Sequence, residues 1–177
     1  MPTALTLCGS IRSGSVNKKL QDAVDAKLRA AGVEVNSISL KDFEMPIFNA
    51  DLEPDNVPEA AGRLADLFRT HDIVFIATPE YNGGLPPLVV NTIAWLSRQK
   101  PSPFRHAVFG IGGVSSGRYG TTWAQSNLRD SLSKIGALVV PTLPAAAQQG
   151  DADLSRVNAY IRAVTTMTAD FSQTDRN

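Results

Sequence analysis

Cysteine is nearly missing from this chain: Cys8 is the only one in 177 residues. It has no partner for an internal disulfide, so a reducing compartment, and hence the cytoplasm, is expected. Long apolar runs are missing too. No stretch approaches the roughly 18 apolar residues that a bilayer requires, and no basic start leads into an apolar leader. No membrane association is expected. Charge of one sign is not in excess, since 17 basic side chains face 17 acidic ones. That leaves no general attraction to nucleic acid or to an anionic surface, and nucleic acid is not expected as a partner. Histidine is scarce. His71 and His106 lie near no cluster of Cys, His and carboxylates, so no metal site is expected. Internal repeats and low-complexity tracts are also absent.

What remains is ordinary globular material, 43% apolar and 19% charged, enough for one domain over residues 1–177. The charges are unevenly spread. Residues 1–33 carry five basic and two acidic side chains, and residues 34–72 carry three and nine. The acidic middle is read as a solvated face. The basic start encloses a Gly/Ser-rich segment.

Short apolar runs at Thr3–Cys8, Ile73–Ala77, Ala107–Ile111 and Ala137–Val140, together with an alternation of Val33, Val35, Ile38 and Leu40 that has one irregularity, predict five strands. Helical spacing predicts helices from Leu20 to Ala31, Pro58 to Phe68, Leu88 to Gln99 and Trp123 to Ile135. A last one is marked by Leu154, Val157, Ile161, Val164 and Phe171. Gly32 and Gly136 are expected as helix stops, Asn56 as a cap, and Pro58 in a first turn. Phe43–Val57, with its prolines and asparagines, reads as a long loop. Strict alternation of strand and helix implies an α/β domain, a parallel sheet covered on both faces. Ligands of such sheets bind beyond the carboxyl ends of the strands. All three Gly/Ser/Pro-rich loops fall there.

The first loop, GSIRSGSVN at Gly9–Asn17, joins a strand to a helix. Its glycines and serines let backbone N–H groups converge on an anion at a helix N-terminus. Ser10, Ser15 and Asn17 supply hydrogen-bond donors and Arg12 a charged one. Three known anion loops are excluded. The triphosphatase loop needs Lys where Ser15 stands. The cysteine-phosphatase loop needs Arg where Gly14 stands. The dinucleotide fingerprint needs Gly where Ile11 stands. A mononucleotide phosphate or another phosphomonoester remains. The second loop, PEYNGGLPP at Pro79–Pro87, offers the flat face of Tyr81 and a turn at Asn82-Gly83-Gly84 whose N–H groups suit a planar heterocycle. No strand pattern follows it, so a ligand contact is preferred to a hairpin. The third loop, Gly110–Thr122, contains G-x-S-x-G at Gly113–Gly117, the form of a hydrolase nucleophile elbow. Both histidines precede that serine, whereas the hydrolase order places its histidine after it. Ser115 and Ser116 are therefore read as polar lining. Cys8 is read as a small core residue.

These residues together resemble the NAD(P)H-dependent FMN reductase family, which includes quinone, chromate and azo-dye reductases. The resemblance rests on GSIRSGSVNKKL at Gly9–Leu20, PEYNGGLPPLVVNTIAWLSR at Pro79–Arg98 and the glycine stretch from Gly112. It implies a flavodoxin-like fold with sheet order 2-1-3-4-5, FMN as cofactor and NADPH or NADH as co-substrate. The implied cofactor-binding residues in the first loop are Gly9, Ser10, Arg12, Ser15, Val16 and Asn17. Of these, Ser10, Arg12, Ser15 and Asn17 would hold the phosphate. Pro79, Glu80, Tyr81, Asn82 and Gly83 would lie against the flavin ring and ribityl chain, with Gly113, Ser115, Ser116 and Gly117 as further neighbours. No side-chain acid or base is required; Tyr81 and Arg118 are candidate substrate contacts. The family implies a homodimer or homotetramer. It usually carries Lys and Asp where this chain has Val90 and Ala94, so one ion pair is missing, and a more apolar association surface near Trp95 is expected in its place.

The implied reaction passes hydride from the nicotinamide to the flavin, then two electrons to a small acceptor such as a flavin or quinone. Backbone N–H groups at Asn82–Gly84 would stabilise negative charge on the reduced ring. The rival is a non-enzymatic electron carrier or flavin-dependent regulatory module. The balanced net charge weighs against a carrier that docks electrostatically.

Overall fold

The computed structural model describes residues 1–53, 56–117 and 119–141. Five strands, β1 (Thr3–Cys8), β2 (Glu34–Ser39), β3 (Ile73–Ala77), β4 (Val108–Gly112) and β5 (Leu138–Val139), alternate with four helices. The helices are α1 (Val16–Ala30), α2 (Glu59–Thr70), α3 (Pro87–Ser97) and α4 (Thr122–Lys134). The sheet is parallel throughout, in the order β2-β1-β3-β4-β5. The chain runs from β1 outward to β2, then returns past β1 to β3. Its direction of growth therefore reverses between β1 and β3, the switch point at which sheets of this kind bind their ligands.

Alternation along each strand divides the core. Leu5 and Leu7 of β1, Val74 and Ile76 of β3, and Phe109 and Ile111 of β4 meet Phe68 of α2, Leu96 of α3 and Leu128 of α4 on one face. Ala4, Cys8, Phe75 and Ala77 meet Val24 and Leu28 of α1 on the other. β3 is buried at all five positions, as a central strand covered on both sides must be. Two helices end in the same way. Gly32 (φ 80°) and Gly136 (φ 90°) turn left-handed. Each lets the next residue donate back to the last turn, Val33 to Leu28 O and Ala137 to Leu132 O, both at 3.0 Å.

Several expectations need correction. α1 begins at Val16, four residues before its first apolar landmark. Its buried stripe is Asn17, Gln21, Val24, Asp25 and Leu28, whereas Ala31 is exposed. Gln21 and Asp25 are tolerated inside because Thr6 bonds both, donating to Asp25 Oδ1 at 2.6 Å and accepting from Gln21 Nε2. Asn56 does not cap α2. Pro58 holds the cap position itself, and Glu59 supplies the negative charge that suits a helix start. The 43–57 loop holds a 3₁₀ turn at Ala50–Leu52, and another, Leu40–Phe43, leads into it. Trp95 contributes no association surface. It is fully buried, with Nε1 donating to Pro46 O at 2.8 Å and its ring edge-on to Phe48. Beside it, Asn91 accepts from Phe48 N at 2.7 Å and donates to Pro46 O. These two side chains tie the 43–57 loop to α3. The expected helix at Leu154–Phe171 lies outside the described residues.

Candidate functional site

The three loops leave the carboxyl ends of β1, β3 and β4 side by side, and their backbones are knitted together. Gly9 N donates to Ala77 O and Thr78 N to Gly112 O, both at 2.8 Å. Space is tight at two of the glycines. A Cβ on Gly9 would stand 2.4 Å from Val89 Cγ2. One on Gly113 would stand 2.0 Å from Thr121 Oγ1 and 2.4 Å from Thr78 O. Thr121 is itself buried and held by Gln125 Nε2 at 2.8 Å. Gly113 serves the approach of loop to loop and Gly9 that of the first loop to α3, requirements that precede any ligand.

Side chains complete the knitting. Asn17 is buried, and its amide pairs both ways with the third loop: Nδ2 donates to Val114 O at 3.0 Å, and Val114 N donates to Oδ1 at 2.9 Å. Glu80 reaches α4, where Oε2 accepts from Ala124 N at 3.0 Å. Thr121, at the cap position of that helix, makes no side-chain cap bond, so Glu80 does the capping from another loop. Ser115 Oγ donates to Gly120 O at 2.7 Å and accepts from Gly117 N at 3.2 Å. It closes its own loop. The reading of Ser115 as a nucleophile therefore has no support, and as site lining it offers little more than its position.

Two sets of donors are left over. The first surrounds the start of α1. Ser15 occupies the cap position without a side-chain cap bond, and the first turn holds no acid. The amides of Val16 and Asn17 have no partner among the described residues. The Arg12 guanidinium, exposed just ahead of them, has none either. Unsatisfied N–H groups at a helix N-terminus beside a free cation form an anion site. Ser10 adds a hydroxyl that already bends the loop by accepting from Arg12 N at 3.4 Å. Beneath the loop, burial pushes the Cys8 thiol above its ordinary pKa, partly offset by hydrogen bonding from Ser10 and Ser15. It is a neutral core residue, as expected.

The second set lies on the loop after β3. Here the preference against a hairpin was wrong. Tyr81 and Gly84 form an antiparallel bridge, exchanging N–H···O bonds of 3.0 and 2.9 Å. Asn82 (φ 52°) and Gly83 (φ 72°) make the two-residue turn, for which Asn-Gly is the favoured pair. One bridge suffices, so no following strand is needed. The bridge consumes the Gly84 N–H. The outward donors are therefore those of Asn82 and Gly83, which have no partner among the described residues. Tyr81 stands half exposed beside them.

The residue types fit a flavin mononucleotide: an anion cradle on one loop, a flat ring and two outward amides on the next. Arg118 lies outside the described residues. Thr78, Thr121 and the exposed aromatic pair Tyr119 and Trp123 carry structural weight that sequence reasoning did not single out. Among the described residues no group of His, Cys, Asp and Glu could hold a metal, and no helix is long and apolar enough to cross a membrane.

Comparison with known proteins agrees with this chemistry. The chain is 36% identical over 129 residues to an NAD(P)H-dependent FMN reductase of Pseudomonas aeruginosa, covering 72% of this chain and 68% of that one. It is 35% identical over 138 residues to a quinone reductase of Escherichia coli K12, covering 77% and 72%. The flavoenzyme NAD(P)H:(acceptor) oxidoreductase FerB of Paracoccus denitrificans shares the fold, with a TM-score of 0.81 at 24% identity over 96% of this chain and 98% of that one. Residues 2–151 match the NADPH-dependent FMN reductase family, and the chain belongs to it.

Proposed function

We propose that this chain binds FMN at the edge formed by the loops after β1, β3 and β4, takes reducing equivalents from NADPH or NADH, and delivers two electrons to a small acceptor of the flavin or quinone class. Membership of the family supports FMN with a nicotinamide co-substrate. The observation that carries the site assignment is the pair of unsatisfied donor sets on adjacent loops.

Bound FMN would supply the hydride and two-electron chemistry. The protein's part is binding and orientation. Arg12, the Ser10 hydroxyl and the open first turn of α1 would hold the phosphate. Asn82 and Gly83 would offer their N–H groups to negative charge carried by a bound ring, and the Tyr81–Gly84 bridge fixes their turn beforehand. Asn17 and Glu80 act one step back, holding the three loops and α4 in register. No side-chain proton donor is required.

The chain is proposed to act as a homodimer or homotetramer. α3 supports this, because it carries no charged side chain from Pro87 to Ser97 and leaves Val90 51% exposed. Val90→Glu should then lower the native mass in light scattering. A cytoplasmic location is proposed on the single, buried, free Cys8.

The experiment is a visible spectrum of the protein mixed with FMN and desalted, before and after anaerobic NADPH or NADH. A retained flavin band that bleaches supports the enzyme. A retained band that neither nucleotide bleaches supports an electron carrier.

A further inference from the structure

The chain uses Tyr and Trp sparingly, three and two residues. Four of the five are described, and three of those are about half exposed: Tyr81 at 48%, Tyr119 at 58% and Trp123 at 50%. All three lie at the carboxyl edge of the sheet; the fourth, Trp95, is buried in the core. Tyr119 and Trp123 touch each other edge to face, with centroids 5.2 Å apart and planes at 63°.

The pair is held by its scaffold. Thr122 Oγ1 donates to Tyr119 O at 2.6 Å, Gly120 N donates to Gly117 O at 3.0 Å, and Ser115 Oγ clasps Gly120 O. One residue beyond Trp123, Ala124 N is gripped by Glu80, the neighbour of Tyr81. That bond ties the start of α4, and Trp123 with it, to the loop that bears the outward amides of Asn82 and Gly83. Two large rings left half in water forgo the favourable burial that such side chains ordinarily find. Trp123, braced edge-on by Tyr119, keeps half of its surface accessible to a third, planar group.

We infer that Tyr119 and Trp123 form a stacking platform that selects planar apolar electron acceptors, quinones by class, over compact hydrated anions. The inference rests on the oxidoreductase reading above and adds specificity-determining residues to it. A second copy of the chain is the competing occupant. The surroundings of the pair weigh against it: Ser116 and Thr122 are exposed polar neighbours, unlike the charge-free face of α3 that supports self-association.

The test compares the FMN-loaded parent with Tyr119→Ala, Trp123→Ala and Trp123→Phe. Acceptors are 2-methyl-1,4-naphthoquinone and ferricyanide, at saturating NADPH. Removing one ring should raise KM for the quinone about tenfold, equivalent to about 1.4 kcal/mol of lost stacking, with little change in kcat. The ratio of kcat/KM for quinone over ferricyanide should fall about tenfold, and Trp123→Phe should restore most of it. Equilibrium dialysis of the quinone against oxidised protein should show the same loss of affinity without turnover. An unmoved quinone KM and dialysis constant overturn the inference. So does an equal loss with both acceptors. A lower native mass in Trp123→Ala in place of a KM change assigns the pair to a subunit contact and overturns it as well. Failure of the parent to hold FMN or to be bleached by NADPH strikes the oxidoreductase reading instead. It is seen before any variant is compared, and the dialysis arm still decides the platform.

Discussion

Removing one buried amide should loosen the cofactor site and the fold together. Asn17 sits in the first turn of α1 and pairs both ways with the backbone of Val114. Asn17→Ala would leave that N–H and that C=O without partners. A buried unsatisfied group costs about 1–3 kcal/mol. Val114 is itself partly exposed, so water recovers part of the loss, and a total of about 2 kcal/mol is expected. For a chain of this length that corresponds to a fall in melting temperature of about 4–8 °C. Asn17→Asp is the sharper variant. It keeps the acceptor for Val114 N but sets a carboxylate oxygen against Val114 O, so it should be at least as damaging as Ala. The bond joins the anion loop to the loop after β4, so FMN affinity should fall with stability, by about tenfold. Thermal unfolding of the apoprotein and fluorescence titration with FMN read the two effects. Unchanged melting in both variants would refute the idea that this pairing holds the loops. Lowered melting with unchanged FMN affinity would confine the bond to the fold.

Arg12→Ala should weaken FMN binding about tenfold or more, the scale of one charge-assisted hydrogen bond. The apoprotein's stability should stay within about 0.5 kcal/mol of the parent's, since this guanidinium has no partner among the described residues. An unchanged FMN titration would remove Arg12 from the phosphate site. Gly113→Ala forces a Cβ against a backbone carbonyl that cannot rotate away, and should destabilise by about 1–3 kcal/mol or more; a denaturant midpoint equal to the parent's would contradict the packing account. The Cys8 pKa is raised by burial, so its contribution is full below the ordinary thiol value of 9.0 and is lost as pH rises through the folded value. The stability advantage of the parent over Cys8→Ala should accordingly shrink above pH 9, and a difference constant with pH would argue against a neutral buried thiol.

The sheet was legible because four strands are short, mostly apolar runs and β2 keeps Val35 and Ile38 in an alternating pattern, and β3 could hardly be read otherwise. Loop placement followed from strand order alone. The buried face of α1 was harder. Gln21 and Asp25 look like solvent-facing residues by type, and it is distant strand partners that make their burial tolerable: the Thr6 hydroxyl for Asp25, and Thr6 O and Ser37 Oγ for Gln21 Nε2. Roles that depend on a distant partner were hidden in the same way. Glu80 was read as a ring neighbour, yet its carboxylate caps a helix 44 residues later. Asn17 was read as a phosphate donor, yet its side chain is occupied by Val114 across 97 residues. An apolar association surface was expected near Trp95, yet the long loop folds back over α3 and buries that side chain. The Asn82–Gly83 hairpin turn was, by contrast, written locally in the Asn-Gly pair. It was set aside by demanding a strand that a single bridge does not need.

The central claim is that these loops bind FMN through the open start of α1 and present it to a nicotinamide. Its most direct measurement is titration of the apoprotein and of Arg12→Ala with FMN, each followed by anaerobic NADPH or NADH and recorded in the visible spectrum. The account predicts saturable binding, about tenfold weaker in the variant, with a flavin band that bleaches on reduction. A protein that takes up no FMN under titration, or that binds it equally well without Arg12 and is not bleached by either nucleotide, would contradict it.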